Sequence, residues 1–371
     1  MSPSFWMMNL LLIFCFVLSA SFITEIDSHF LAAVSNTSFT DSASFSCDKL
    51  PGLSAHHLSL CRRYPNLMRY VQDGIRRAQE ECQTQFRYNR WNCTSIDNRP
   101  FMKLLERGFR ESAFSYAIVS AGITYMLTNA CGQGEFPECF CQGGDFFNSN
   151  ITANATSFHY TNGSSWHMSG CDDNVEVASN IVMESQKTYS RRRRNIDTRA
   201  LVAQHNNKVG IQALQDTVTL DCRCHGMSGT CATKTCMRKM PPFSVVGDYL
   251  EYKFHGARRV IHKKSGYGLL VASPGRKEPR EPRRDELLYY EKSPNFCSAD
   301  PALNWAGTVG RRCVIASDPR QRDLHCDVLC CKRGYYTLFE VKTVDCNCRL
   351  ENCCSLTCDR CNVTVPIHYC N

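Results

Sequence analysis

The chain has 371 residues, 25 of them cysteine, and a formal net charge of +8. Cysteine at this density excludes a reducing compartment and points to a bridged framework built in an oxidising secretory lumen. Lys and Arg come in separated runs, and with that compartment they exclude nucleic acid and favour a sulfated extracellular polysaccharide as the anionic partner.

Residues 7–18 are almost wholly apolar and lead into Ser19-Ala20-Ser21, which predicts a signal peptide over 1–20. Removing Cys15 leaves twelve cysteines from Cys47 to Cys236 and twelve from Cys297 to Cys370, with 60 cysteine-free residues between. Each half can close its own bridges. That predicts an α+β protein: a helical N-terminal domain over 21–270, a Pro-rich charged linker over 271–292, and a small cysteine-rich β domain over 293–371. Sequons at Asn36, Asn92, Asn150, Asn154, Asn162 and Asn362 agree with export and glycosylation. Asn92 follows Trp91 in a segment that reads as packed, whereas Asn150 to Asn162 lies in a Ser/Thr/Asn-rich surface loop.

From Ser21 to Ser46 no pattern is strong, so a mobile leader is expected up to Cys47 and Cys61, whose pairing stays open. Leu67, Val71, Ile75, Ala78 and Cys82 then recur at helical spacing behind Pro65. The segment around Trp91 reads as an aromatic corner closed by Cys82 and Cys93. A second helix is expected from about Glu111 through Leu127, its stripe of Ala113, Phe114, Ala117, Ile118 and Ala121 facing the core. Cys131, Cys139, Cys141 and Cys171 frame a loop-rich insertion. Two further helical stretches, about Val175 to Ser190 and Thr198 to Leu214, flank Arg191 to Arg194. That run fits a solvated face, a heparan sulfate patch or a furin-type cleavage site. Phe243, Val246, Leu250 and Phe254 return the chain to helix. In the last domain short strands are expected at Tyr335 to Lys342 and Cys346 to Arg349.

The stretch from Asp221 to Cys236 crowds four cysteines around a loop. Nested bridges Cys222/Cys236 and Cys224/Cys231 would staple the arms of a hairpin over 221–237 and push Gly226 to Thr230 into solvent. Ser228 is the nucleophile presented there, and Gly226 and Gly229 free the backbone beside it for positive φ. The two pairs do not share one antiparallel register, so a bulge or splay is expected in the arms. A secreted serine hydrolase using Ser228 with His225 or His205 is the alternative reading. It is opposed by Thr230, which stands where a Gly-x-Ser-x-Gly elbow needs its second glycine. A zinc cluster of three thiols with His225 is opposed by the oxidising compartment. Neither an enzyme nor a metal site is expected.

Cys222-x-Cys224-His225-Gly226-x-Ser228-Gly229-x-Cys231 followed by Lys234-Thr235-Cys236 resembles the signature of the Wnt family of secreted signalling proteins. Trp91-Asn92-Cys93, Arg110 to Phe114 and His205-Asn206-Asn207 resemble the same family, and the resemblance runs from about Cys61 to Cys370. It implies that Ser228 carries a monounsaturated C16 acyl ester, attached by an acyltransferase, and that a carrier protein holds the lipid during secretion. The hairpin would bring that lipid into a Frizzled-type receptor in developmental signalling, with an LRP-type co-receptor and matrix heparan sulfate as further partners. No other cofactor is implied.

Cys346-x-Cys348 and Cys358-x-x-Cys361 repeat the nested staples around a second tip, expected over Arg349 to Leu356. The residues alone leave the partners of adjacent Cys353 and Cys354 open; the resemblance implies that they bridge to each other. Receptor contacts are then expected at Met227, Ser228, Gly229, Leu350, Cys353 and Cys354. Where family members carry aromatics before the adjacent cysteines, this chain has Leu350-Glu351-Asn352, which reduces apolar contact. Cys297, Cys313, Cys326, Cys330, Cys331 and Cys370 are expected to be bridged within their own half.

Overall fold

The structure is a computed structural model and describes residues 31, 34, 47, 55–64, 66–94, 102–136, 139, 173–186, 197–224, 228, 234–263, 268–271, 280–315, 324–351 and 355–371. The expected signal peptide and linker residues 272–279 lie outside them, as do Asn36, Asn150, Asn154, Asn162, Cys141, Cys171 and Arg191 to Arg194. Two compact units divide the chain, one within 1–85 and 98–293, the other within 86–97 and 294–371.

The first unit holds helices α1 (Ala55–Arg63), α2 (Leu67–Gln85), α3 (Met102–Leu105), α4 (Arg110–Gly132), α5 (Val175–Ser185), α6 (Thr198–Thr217) and α7 (Phe243–His255). Its strands are β1 (Thr219–Cys224), β2 (Lys234–Lys239), β3 (Arg258–His262), β4 (Leu269–Val271) and β5 (Leu288–Tyr289). Helix α4 is the core element, buried on almost every face. Small residues make this feasible, and its buried hydroxyls are satisfied along the helix itself: Ser115, Thr124 and Thr128 donate to the carbonyls four residues back at 2.9, 2.8 and 2.8 Å. Gly210 of α6 lies so close that a Cβ there would sit 1.9 Å from the Ala117 carbonyl oxygen. Only glycine lets the two backbones approach in this way.

Several expectations need correction. The leader is tied down where it is described: Leu31 and Val34 are buried, and Gln72 Nε2 donates to the Val34 carbonyl at 3.2 Å. Their three-residue spacing gives one apolar edge of a helical turn. Residues 271–292, expected as linker, instead close the sheet β4–β3–β5 of the first unit as far as they are described. Leu287 and Leu288 are fully buried, and the Asn206 side chain satisfies the Leu288 backbone twice, accepting from its N–H at 2.8 Å and donating to its carbonyl at 2.9 Å. Two leucines and one asparagine thus outweigh the charged composition around them. Helix α5 stops at Ser185 rather than Ser190, and Gln186 is its C-cap.

The second unit takes the aromatic corner at residues 86–97 away from the helical domain in which it was expected. Phe86 and Trp91 pack with ring centroids 5.0 Å apart, Trp91 and Phe296 at 6.4 Å, and Phe296 and Trp305 edge-on at 5.9 Å. Bridges Cys297–Cys331, Cys313–Cys326 and Cys330–Cys370 hold the rest. A small cluster of Leu329 with Cys313, Cys326, Cys330 and Cys370 stands where a larger domain would have aliphatic side chains. Strands β6 (Arg312–Cys313), β7 (Tyr335–Glu351) and β8 (Ser355–Cys370), with helix α8 (Cys326–Leu329), complete the unit, and the sheet order is β6–β8–β7. The two short strands expected over 335–349 are therefore one continuous strand. Its partner β8 was not anticipated, because Asp359, Arg360 and Pro366 interrupt the strand signal.

In the first half Cys47 pairs with Cys61 and Cys131 with Cys139, while Cys82 and Cys93 are each disulfide-bonded.

Candidate functional site: two stapled hairpins

The first hairpin leaves α6 through the single residue Val218. Its ladder runs from Thr219↔Lys239 to Cys224↔Lys234 in one unbroken register, with Cys222 directly opposite Cys236. Cys222 and Cys224 are both disulfide-bonded. The bulge expected in the arms is absent from them; six-residue arms keep every rung, since a bulge would unpair backbone donors. Leu220, 51% exposed, shares a face with Cys222 and Cys224 and gives that side an apolar flank. The root is latched by Asp173, whose N–H donates to the Arg238 carbonyl at 3.0 Å and whose carboxylate accepts from Met240 N at 2.7 Å. Asn174 beside it caps α5, its Oδ1 accepting from Val177 N at 3.2 Å.

Ser228 is exposed at the end of this hairpin with φ 57°. The serine itself takes a positive φ. Met227, Gly229, Gly226, His225 and Cys231 lie outside the described residues. The other histidine weighed for catalysis, His205, is in α6, where its Nε2 bonds to the Glu286 carbonyl at 2.9 Å and burial lowers its pKa. That contact makes it a tie between α6 and the segment before β5.

The second hairpin is much longer. β7 and β8 pair from Tyr335↔Cys370 through Cys346↔Asp359, then shift register before Arg349↔Thr357, where Asn347 takes φ 48°. Cys346–Cys361 and Cys348–Cys358 bridge its distal end, with Cα separations of 5.9 and 4.0 Å. Rungs continue to Leu350↔Leu356 and Glu351↔Ser355. The ladder thus persists beyond the staples and into the tip expected over Arg349 to Leu356, of which residues 352–354 lie outside the described residues. Cys353 and Cys354 lie outside the described residues. Leu356, opposite Leu350 in the ladder, is 67% exposed.

Of the described sequons, Asn92 is half-buried and its Oδ1 accepts from Thr94 Oγ1 at 2.7 Å. Asn362 is exposed on β8 opposite Thr343, whose hydroxyl donates to its Oδ1 at 3.0 Å. The sulfurs of Cys313, Cys330 and Cys370 lie within 4.8 Å of one another, but all three cysteines are in disulfides and so offer no thiolate to a metal. Sequence reading missed the Asp173 latch and the Asn347 bulge. The second had a signal, since asparagine is among the few residues that enter the left-handed region readily.

A short β-hairpin with two disulfide-bonded cysteines and an exposed serine beyond its first strand, and a long hairpin bridged at its distal end, each carried by its own compact unit, define a two-unit, cysteine-rich hairpin protein. The wnt family model matches residues 49–371, and the chain belongs to the Wnt family of signalling ligands. It is 36% identical over 326 residues to human Protein Wnt-2b, an alignment covering 87% of this chain and 79% of that protein. Among solved structures it is similar to a chain of human WLS in complex with WNT8A, at TM-score 0.56 and 29% identity, covering 85% of this chain and 98% of that one. Among the described residues no helix is long and apolar enough to cross a membrane.

Proposed function

We propose that the protein is a secreted, lipidated and glycosylated ligand whose Ser228 ester, a monounsaturated C16 chain, is received by the cysteine-rich domain of a Frizzled-type receptor. The observation that carries this reading is the exposed Ser228 hydroxyl at the end of a short, register-locked hairpin latched by Asp173. Acylation joins Ser228 Oγ to the carbonyl carbon of an activated acyl thioester, the thiol leaves, and the hydroxyl proton passes to it. At ~0.8 kcal/mol per buried CH₂, such a chain offers on the order of 10 kcal/mol before ordering costs, more than any side chain of the finger. The second hairpin supplies the other receptor contact through Leu350, Cys353 and Cys354, with Glu351 limiting its apolar character. A carrier is needed for so apolar an adduct in transit, and the similarity to a chain of the WLS complex supports one of that kind. An LRP-type co-receptor and heparan sulfate complete the partners of this reading, and export from the cell is inherent in it. Peptide mass spectrometry of the secreted chain should find the acyl mass on the peptide spanning Ser228. Ser228→Ala should keep its bridges and lose both detergent partitioning and receptor signal; full signalling by this variant would overturn the reading.

A further inference from the structure

Strand β7 is the outer edge of its sheet, with no strand on its free side among the described residues. Every residue from Lys332 to Asp345 is exposed. Within this span Leu338, Phe339, Val341 and Val344 are 51, 73, 67 and 42% exposed. A long apolar edge of this kind is a template for another strand unless charge blunts it. The charges inside the apolar run are Glu340 and Lys342, which have opposite signs and flank Val341 symmetrically. Among the described residues Lys342 makes no ion pair, and Glu340 only accepts a long 3.5 Å contact from the Tyr369 hydroxyl.

These charges favour a second copy of the chain as partner, in one register. In a symmetric antiparallel pair of β7 strands, a twofold axis perpendicular to the sheet keeps each side chain on its own face, so the axis must pass midway between the two copies of one residue. Centring on Glu340 sets glutamate against glutamate, and centring on Lys342 sets lysine against lysine. Centring on Val341 places Glu340 opposite Lys342 of the second copy twice, and Leu338 opposite Val344 of the second copy twice. Thr337 then meets Asp345, and no like charges face each other. We propose that the chain self-associates through the free edge of β7, as an antiparallel dimer centred on Val341. Asn362 lies on β8, away from this edge, so a glycan there does not obstruct it. At ~3.4 Å per residue the two copies of Glu351, at the distal end of the described ladder, would lie on opposite sides of the axis, about 70 Å apart. The dimer requires neither the acyl chain nor a receptor.

Sedimentation velocity of the full-length secreted chain in detergent micelles, which mask association driven by the acyl chain, tests the proposal. The wild type should dimerise. Glu340→Lys and Lys342→Glu each turn two attractive cross-strand pairs into two repulsive ones and should loosen the dimer about tenfold. The double variant exchanges the charges and should return to within about threefold of wild type. A wild type that stays monomeric at ~50 μM, a concentration matched to a weak interface, overturns the proposal. So does a double variant that shows no recovery over the two single changes. A non-reducing peptide map of each variant checks that the bridges are intact.

Discussion

At φ 57° the Ser228 backbone occupies the left-handed region, which costs an L-residue about 1–2 kcal/mol and is most hindered for a branched Cβ. The strain is retained because only a residue with a hydroxyl can bear the proposed ester, and serine is the smallest that does. Ser228→Ala keeps the same backbone cost, so its loss of function would report the hydroxyl alone. Ser228→Thr keeps a hydroxyl but adds a methyl at the crowded Cβ. Its acyl occupancy, read by mass spectrometry on the Ser228 peptide, should fall at least ~10-fold, in line with the added strain and a hindered secondary alcohol. Occupancy equal to wild type would mean that the tip relaxes out of the left-handed region.

Elements were legible where a single period dominates. Helices α2, α4, α6 and α7 appear where apolar residues repeat at helical spacing, because burial against one another rewards that pattern over many residues. The first hairpin was legible from cysteine spacing, although spacing could not show that its arms would stay in register. Strands β3, β4 and β5 were not, since each is too short to establish alternation. Their pairing rests on partners far away in sequence, such as the Asn206 side chain on the Leu288 backbone. The 17 residues of β7 were split in two because Asp345 and the cysteines broke the β-branched run, yet ladder hydrogen bonds and staples hold them as one strand. Ser228 and the distal staples were readable as chemistry, whereas Asp173, which orients the first finger, acts through the backbone of Arg238 and Met240 and leaves no spacing to detect.

For the whole molecule, buried histidines link folding to pH. Burial holds His57 down to about 4 from its ordinary 6.5, while its Nε2–H donates to the Ser185 carbonyl at 2.9 Å. His205 is lowered for the same reason. The unfolded chain takes up protons before the folded one does. Stability is therefore fully present above about 6.5 and is lost as pH falls from there toward about 4. Glu111 opposes this at lower pH, since burial raises its carboxyl and the folded chain then protonates first. His57 alone should remove on the order of 2 kcal/mol between pH 7 and 5. Urea unfolding at the two pH values should show this loss, and His57→Gln, which keeps a donor for Ser185 without titrating, should flatten it. An unchanged slope in that variant would exclude His57 as the source.

The bridges of the second hairpin sit at its two ends: Cys330–Cys370 near the root, Cys346–Cys361 and Cys348–Cys358 near the tip. The sequence from Tyr335 to Asp345 and from Asn362 to Tyr369 contains no cysteine. An ordinary hairpin frays from its open end, but this one is pinned at both ends and is weakest at its waist, where solvent reaches both faces. Amide exchange in the Glu340→Lys chain should therefore be fastest between Thr337 and Asp345 and slower toward either terminus of the ladder. A bow that flexes in the middle lets the fingertip change its angle of approach while every disulfide stays closed.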